Sequence, residues 1–268
     1  METGGSAPAL HTFVADLHVH TVLSPCAAVE MIPPLIVREA LAHGIDLIAI
    51  TDHNASANVR AVQRAATGTG LVVLPGMELQ TYEEIHLLCI FGSLAQLESW
   101  QEMVDAHLPP RENVPNILGE QFVVDETGEF VGRERRLLAT STDIRLKEAV
   151  EEITRRGGLA IPAHVDRPVY SLLANLGFVP RDVPFHALEI SPHTTPAAAR
   201  DRLSELVDTP LIQSGDVHHL DGFASTTVFN MARPTLSEIK LALQGKQGRT
   251  VAIRRPLQAH KATATAAV

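Results

Sequence analysis

Asp16-Leu17-His18-Val19-His20 closes an apolar run, Phe13-Val14-Ala15, and its reading decides how the rest of the chain is understood. Side chains alternate across a strand, so His18 and His20 point to the same side. Two imidazoles facing one way are half of a metal site. Working outward, the same arrangement recurs. Ile48-Ala49-Ile50-Thr51 runs into Asp52-His53, Val73-Leu74-Pro75-Gly76-Met77 into Glu78, Ile161-Pro162-Ala163 into His164, and Ser214-Gly215 into Asp216-Val217-His218. His86 and Glu189 lie within further apolar runs, at 85–91 and 187–190.

Between these motifs the pattern switches repeatedly. Strand-like runs at 13–19, 46–51 and 71–78 alternate with helix-like stretches at 33–43 and 55–67, which implies parallel strands covered by helices. A pair of neighbouring strands near 72–79 and 84–91 leads to a helical segment at 94–106. The alternation resumes with a helix at 143–156, strands at 158–163 and 187–191, a helix at 196–206 and a strand at 210–214. A closed or nearly closed β/α barrel of about seven strands fits this order. Parallel α/β folds build their sites where strands end, so the histidines and carboxylates are expected to meet at one face. Residues 94–145 are expected to form an insertion, with a β-hairpin over 122–131 around Glu126-Thr127-Gly128 acting as a lid. The chain reads as one domain over 1–268, its core at about 13–255 and its ends, 1–10 and 258–268, frayed.

Composition narrows the function. The chain has 268 residues, 45% hydrophobic and 20% charged, enough for one large core. No apolar run approaches the roughly 18–20 residues of a membrane helix and no signal peptide is evident, so a soluble, cytoplasmic protein without a membrane partner is expected. A net charge of −9 argues against extended nucleic acid as a partner, since a phosphate-binding surface calls for clustered Lys and Arg. The two cysteines, Cys26 and Cys89, make neither a disulfide framework nor a CxxC knuckle. Neither a Gly-x-Ser-x-Gly elbow nor a P-loop is present, which removes two common alternative chemistries.

Taken in order, residues 16–21, 48–53, 75–78, 162–164 and 214–218 resemble the motifs of the PHP (polymerase and histidinol phosphatase) superfamily, over about 13–220. The resemblance implies an α/β fold, a distorted (β/α)7 barrel of the PHP type, holding two or three divalent metal ions (Zn, Mn or Fe) and hydrolysing phosphate esters. Carried onto this sequence, His18, His20, Glu78 and Asp216 would hold a first metal. Glu78 would bridge to a second held with His86 and His164, and His53 and His218 would hold a third. Cys26 departs from the pattern, standing eight residues after His18 where members often carry Asp or His. It is either a thiolate ligand suited to Zn or Fe(II) or an unliganded thiol. For His86 a satisfied core histidine is the alternative.

Glu189, Asp16 and Asp52 are expected to orient ligand histidines from behind. Two metals sharing Glu78 would activate water for attack on phosphorus, with Glu78, Asp216 and Arg167 as the catalytic set and Arg167 meeting a phosphoryl oxygen. Asp166, His193 or a water on the metal are candidates for the general acid. Arg133, Arg135 and Arg136 are either lid residues or a solvated charge cluster, and the remaining histidines have ordinary polar roles. The expected partner is a small phosphorylated substrate: a nucleotide, a sugar phosphate or a short oligonucleotide end. A C–N hydrolase on a related metal barrel and a non-catalytic metal-binding module in a larger complex are the competing readings.

Overall fold

A computed structural model describes residues 8–203, 209–224 and 226–254. Its strands are β1 His11–Val19, β2 Leu47–Ile50, β3 Val72–Gln80, β4 His86–Ile90, β5 Phe122–Val124, β6 Phe130–Arg133, β7 Leu159–Pro162, β8 Leu188–Ile190, β9 Leu211–Gln213, β10 Thr227–Met231 and β11 Thr250–Ile253. The helices are α1 Pro33–Ala42, α2 Val59–Ala65, α3 Leu94–His107, α4 Pro115–Leu118, α5 Leu146–Arg155, α6 Leu172–Leu176, α7 Pro196–Arg202 and α8 Leu236–Leu243.

One sheet runs in the order β11-β10-β1-β2-β3-β4-β7, and β8 and β9 pair separately. Backbone hydrogen bonds curl these pieces into a ring. Val165 N–H donates to the Glu189 carbonyl at 2.9 Å and His186 N–H to the Ala160 carbonyl at 3.2 Å, tying β7 to the β8 segment. Beyond β9, Val217 N–H donates to the His18 carbonyl and His20 N–H to the Val217 carbonyl, each at 3.0 Å, which returns the chain to β1. The barrel strands are therefore β1, β2, β3, β4, β7, β8 and β9, a distorted (β/α)7 arrangement. β10 and β11 extend it antiparallel from the lower half of β1.

The expected parallel alternation fails at β4, which runs antiparallel to both β3 and β7. Only residues 81–85 separate β3 from β4, too few for the crossover of a dozen or more residues that parallel strands need. The reversal puts the first residue of β4, His86, at the end of the barrel where β3 finishes.

Two apolar layers hold the ring. Leu17, Leu47, Ala49, Leu74, Leu88, Leu159, Ile161 and Ile212 fill one cluster, joined by Phe229 and Met231 of β10 and Ile239 of α8. The opposite sides of the strands, including Ile48, Ile50, Val73 and Cys89, pack against the helices. α5 illustrates why those helices form. It buries Leu146, Ala149, Val150 and Ile153, the spacing of one helical face. α8 begins with Thr235, whose side chain accepts the Glu238 N–H, a capping-box pattern that was readable in the sequence.

The helical segment expected at 94–106 forms as α3, Leu94–His107. α3 buries Leu97, Trp100 and Val104 and belongs to the helical layer, so the irregular part starts after His107. The hairpin forms as β5 and β6, with Gly128 at φ +88° in the turn. It is fastened by Asn58, whose side chain donates to the Phe122 carbonyl and accepts from Val124 N–H at 3.0 Å each. α2 starts at Val59 rather than at 55. The helix expected over 196–206 is described only to Arg202, and 204–206 lie outside the described residues. So do 1–7 and 255–268, on which most of the expectation of frayed ends falls. No helix among the described residues is long and apolar enough to cross a membrane.

Candidate metal centre

A β-bulge aims the first motif. Leu17 and His18 of β1 together face the one residue Ala49 of β2, because the register shifts between Asp16 and Val19. Such a bulge bends the strand and re-aims its side chains. Leu17 consequently packs into the inner apolar cluster, while His18 and His20 both reach the mouth above it.

There Glu78, at the end of β3, is the hub. Its Oε1 lies 3.2 Å from His18 Nε2, 2.9 Å from His86 Nδ1 and 3.4 Å from His164 Nε2. Its Oε2 lies 2.9 Å from His53 Nδ1 and 3.4 Å from His20 Nε2. Asp216 Oδ1 stands 3.1 Å from His18 Nε2, 3.2 Å from His20 Nε2 and 3.3 Å from His218 Nδ1. Despite these approaches, both Glu78 oxygens, Asp216 Oδ1 and His53 Nδ1 are buried without an aligned hydrogen bond. Buried carboxylate oxygens and imidazole nitrogens converging without aligned hydrogen bonds between them are what a set of metal ligands looks like. Three groupings have the right closeness: His18, His20, Glu78 and Asp216; His53, Glu78 and His86; and His20, His53 and His218.

Partners behind the rings fix which nitrogen faces inward. His18 Nδ1 pairs with Glu189 Oε2 at 2.9 Å, and the same oxygen accepts the His164 N–H at 3.0 Å. His20 Nδ1 meets Ser24 Oγ at 2.9 Å, and Ser24 Oγ donates to Asp52 Oδ1 at 2.7 Å. Backbone strain is also concentrated here. His164 and Asp216 hold φ of +30° and +50°, a left-handed conformation that costs about 1–3 kcal/mol for a non-glycine residue. Gly215 before Asp216 is required by close approach, since a Cβ there would lie 2.3 Å from the Gly222 carbonyl oxygen.

The electrostatics ask for cationic charge. Burial drives the His86 pKa down to about 4 even beside Glu78, leaving a neutral imidazole able to ligate. At His18 burial acts the same way but is outweighed by Asp216, Glu189 and Glu78, which lift it well above the ordinary value. Burial would raise Glu78, yet the facing His86, His18 and His53 hold it well below the usual carboxylate range. Buried carboxylates of this kind are stable only with positive charge among them, from imidazolium or from divalent cations. The donor set of imidazole and carboxylate suits Zn, Mn or Fe.

A family model for the PHP domain matches residues 16–156, more than half of the chain. The chain belongs to the PHP domain family. Among curated proteins no match is found. Solved structures similar to this PHP chain include the lesion-specific endonuclease Q of Pyrococcus furiosus, at 20% identity and TM-score 0.69 over 90% of this chain and 58% of that one. A complex of endonuclease Q with a 27-mer duplex carrying an abasic lesion at the active site matches at 18% identity and TM-score 0.61, over 92% of this chain and 60% of that one. A Bifidobacterium adolescentis protein, a candidate metal-dependent phosphoesterase, matches at 18% identity and TM-score 0.54 over 82% and 89%. The chain thus spans about three fifths of the endonuclease chains, and the likeness is one of fold. Endonuclease Q, three fifths of which this chain matches, binds a duplex with an abasic lesion at its active site, so a negative net charge does not by itself exclude extended nucleic acid as a partner. Net charge sums a whole surface, whereas a bound strand meets only one part.

The PHP cluster opens into a cavity of about 260 Å³ lined by Cys26, His53, Glu78, Gln80, His86, Ala139, His164, Arg167, Val169, Tyr170, Asp216 and His218. Cys26 Sγ lies 3.0 Å from His218 Nε2. Although burial opposes it, hydrogen bonds with His218 and His53 bring the thiol down to about 5. Arg167 Nη1 donates to Asp216 Oδ2.

Other expectations change. Among the described residues Asp16 hydrogen-bonds no imidazole and instead accepts backbone N–H groups of His18, Gly215 and Ala224. Asp52 reaches His20 only through Ser24, which the sequence reading did not single out. Asp166 accepts Ser191 N–H and Oγ–H and the Thr194 hydroxyl. Against the effect of burial these bonds hold its pKa low, unsuited to an acid. The exposed His193 is not among the cavity residues. Arg133 and Arg135 line a separate cavity of about 500 Å³ in the hairpin segment, and Arg136 pairs with Asp105 and Glu134. The hairpin segment reaches the PHP cavity through Ala139 alone among its lining residues.

Proposed function

We propose that this PHP domain is a metal-dependent phosphoesterase that hydrolyses a small phosphate ester: a nucleotide, a sugar phosphate or a short oligonucleotide end. The observation that carries the reading is Glu78, a buried carboxylate with five imidazoles within 3.4 Å and no aligned hydrogen bond on either oxygen. His18, His20, Glu78 and Asp216 would hold one divalent cation, and His53, His86 and His164 would join Glu78 around a second. His218 with Cys26 stands beside His53 for a third. Cations bound there would polarise a phosphoryl oxygen and lower the pKa of an attacking water.

The chain's own residues supply the rest. Glu189 and Ser24 hold the His18 and His20 rings in their inward tautomers. Arg167, one third exposed in the cavity wall and anchored on Asp216, offers the remainder of its planar fork to a phosphoryl oxygen. Apolar Ala139 and Val169 line the same cavity.

A second reading, cleavage of a phosphodiester within nucleic acid, is supported by the fold shared with endonuclease Q. Phosphate release from phosphomonoesters, and cleavage of short oligonucleotides and duplex DNA, should be measured side by side with Mn, Zn or Fe(II), using His18→Ala as control. Monoester turnover that disappears in the variant is the expected result. Strand cleavage without monoester turnover would transfer the assignment to the second reading, and silence on every substrate at full metal occupancy would refute both.

A further inference from the structure

Tyr170 lines the cavity but belongs to none of the ligand groupings. Its ring lies parallel to that of His86, with centroids 5.0 Å apart and planes inclined by 9°, and the residue is 46% exposed. Its φ is +51°, and its carbonyl accepts the His86 N–H at 3.1 Å, which locks the strained turn against the start of β4. A tyrosine kept half in water, in a backbone conformation that non-glycine residues avoid, forgoes burial that an aromatic ring ordinarily gains. The chain has two tyrosines. The other, Tyr82, carries the Arg145 guanidinium 4.6 Å above its ring. Tyr170 carries His86 on one face and keeps nearly half of its surface open to solvent.

We propose that Tyr170 is the specificity-determining residue of this cavity, selecting phosphate esters whose leaving group bears a flat aromatic or heteroaromatic ring such as a nucleobase. The inference rests on the phosphoesterase reading above and names its substrate class. With the phosphoryl group at the metal cluster and Arg167, the ring of the leaving group stacks on Tyr170 in line with His86. Stacking is indifferent to hydrogen-bond pattern, because every base has a π face. It therefore selects for a ring and not for a particular base. Val169, 57% exposed beside it, adds apolar surface to the same wall.

The test separates stacking from mere support of His86. Benzylphosphonate and methylphosphonate differ by one ring and are not hydrolysed, so their binding to the zinc-loaded full chain can be compared by calorimetry without turnover. The expected result is about tenfold tighter binding of benzylphosphonate, a ratio that falls below about twofold in Tyr170→Ala and is kept in Tyr170→Phe. A ratio preserved in Tyr170→Ala overturns the proposal. So does equal weakening of both ligands with loss of zinc, which would make Tyr170 a brace for His86. Wild-type protein that binds both phosphonates equally overturns the stacking alone, and protein that binds neither overturns the phosphoryl site and this proposal with it.

Discussion

Replacing Glu189 by alanine should loosen the metal centre without removing a ligand. One oxygen, Oε2, holds both the His18 ring through Nδ1 at 2.9 Å and the backbone of His164 at 3.0 Å, while Oε1 has no hydrogen-bond partner. Glu189 is 1% exposed, so water does not readily replace the lost acceptor. Two buried N–H groups are left unsatisfied, at about 1–3 kcal/mol each, and the His18 ring loses the contact that sets its tautomer. Loss of such outer partners weakens metal binding about 10–100-fold, which corresponds to about 1.4–2.7 kcal/mol. Glu189→Gln keeps an acceptor at the Oε2 position and loses only the charge, so it should fall between wild type and alanine. Competition with a zinc chelator measures the affinities directly, and thermal unfolding of the metal-free proteins measures the folding cost separately. Glu189→Ala with the wild-type zinc affinity would refute the argument that this carboxylate orients His18 and His164.

Saturating zinc at about 100 times its Kd should add about 2.7 kcal/mol of stability, seen as a rise in Tm of about 5–10 °C for a chain of this size; an unchanged Tm would remove the metal centre from the account. In metal-free protein Cys26, with its pKa lowered to about 5, should alkylate at a rate nearly independent of pH between about 6 and 8, because it is already thiolate there, whereas a rate rising tenfold per pH unit would contradict the His218 and His53 contacts. Cys89, buried and with its pKa pushed up by that burial, should stay unlabelled. Arg167→Ala should lower kcat/KM on phosphomonoesters by about 10²-fold or more at unchanged zinc content. Arg167→Lys should restore only part of this because a point charge cannot replace the fork, and a change within twofold in Arg167→Ala would end its phosphate role.

Much of the fold was legible because its signals are local. The runs at 13–19, 46–51, 158–163 and 210–214 are β1, β2, β7 and β9 to within a few residues, and α1 and α3 begin where Pro33 and Leu94 suggested. β10, α8 and β11 were not anticipated, although Thr235 and Glu238 carried a helix-start signal. The amino-acid order by itself determined the ligand types, their spacing and their placement after apolar runs, since those depend on residues a few positions apart. Only the tertiary structure decided how they meet. The short 81–85 connection reverses β4 and swings His86 into the cluster, the bulge opposite Ala49 frees Leu17 for the core while His18 turns to the mouth, and Val217 closes the ring onto β1. It also decided which carboxylate stands behind which ring, choosing Glu189 over Asp16, and it laid Tyr170 on His86. Strand direction, register and ring closure are set by partners up to two hundred residues apart, and no local pattern records them.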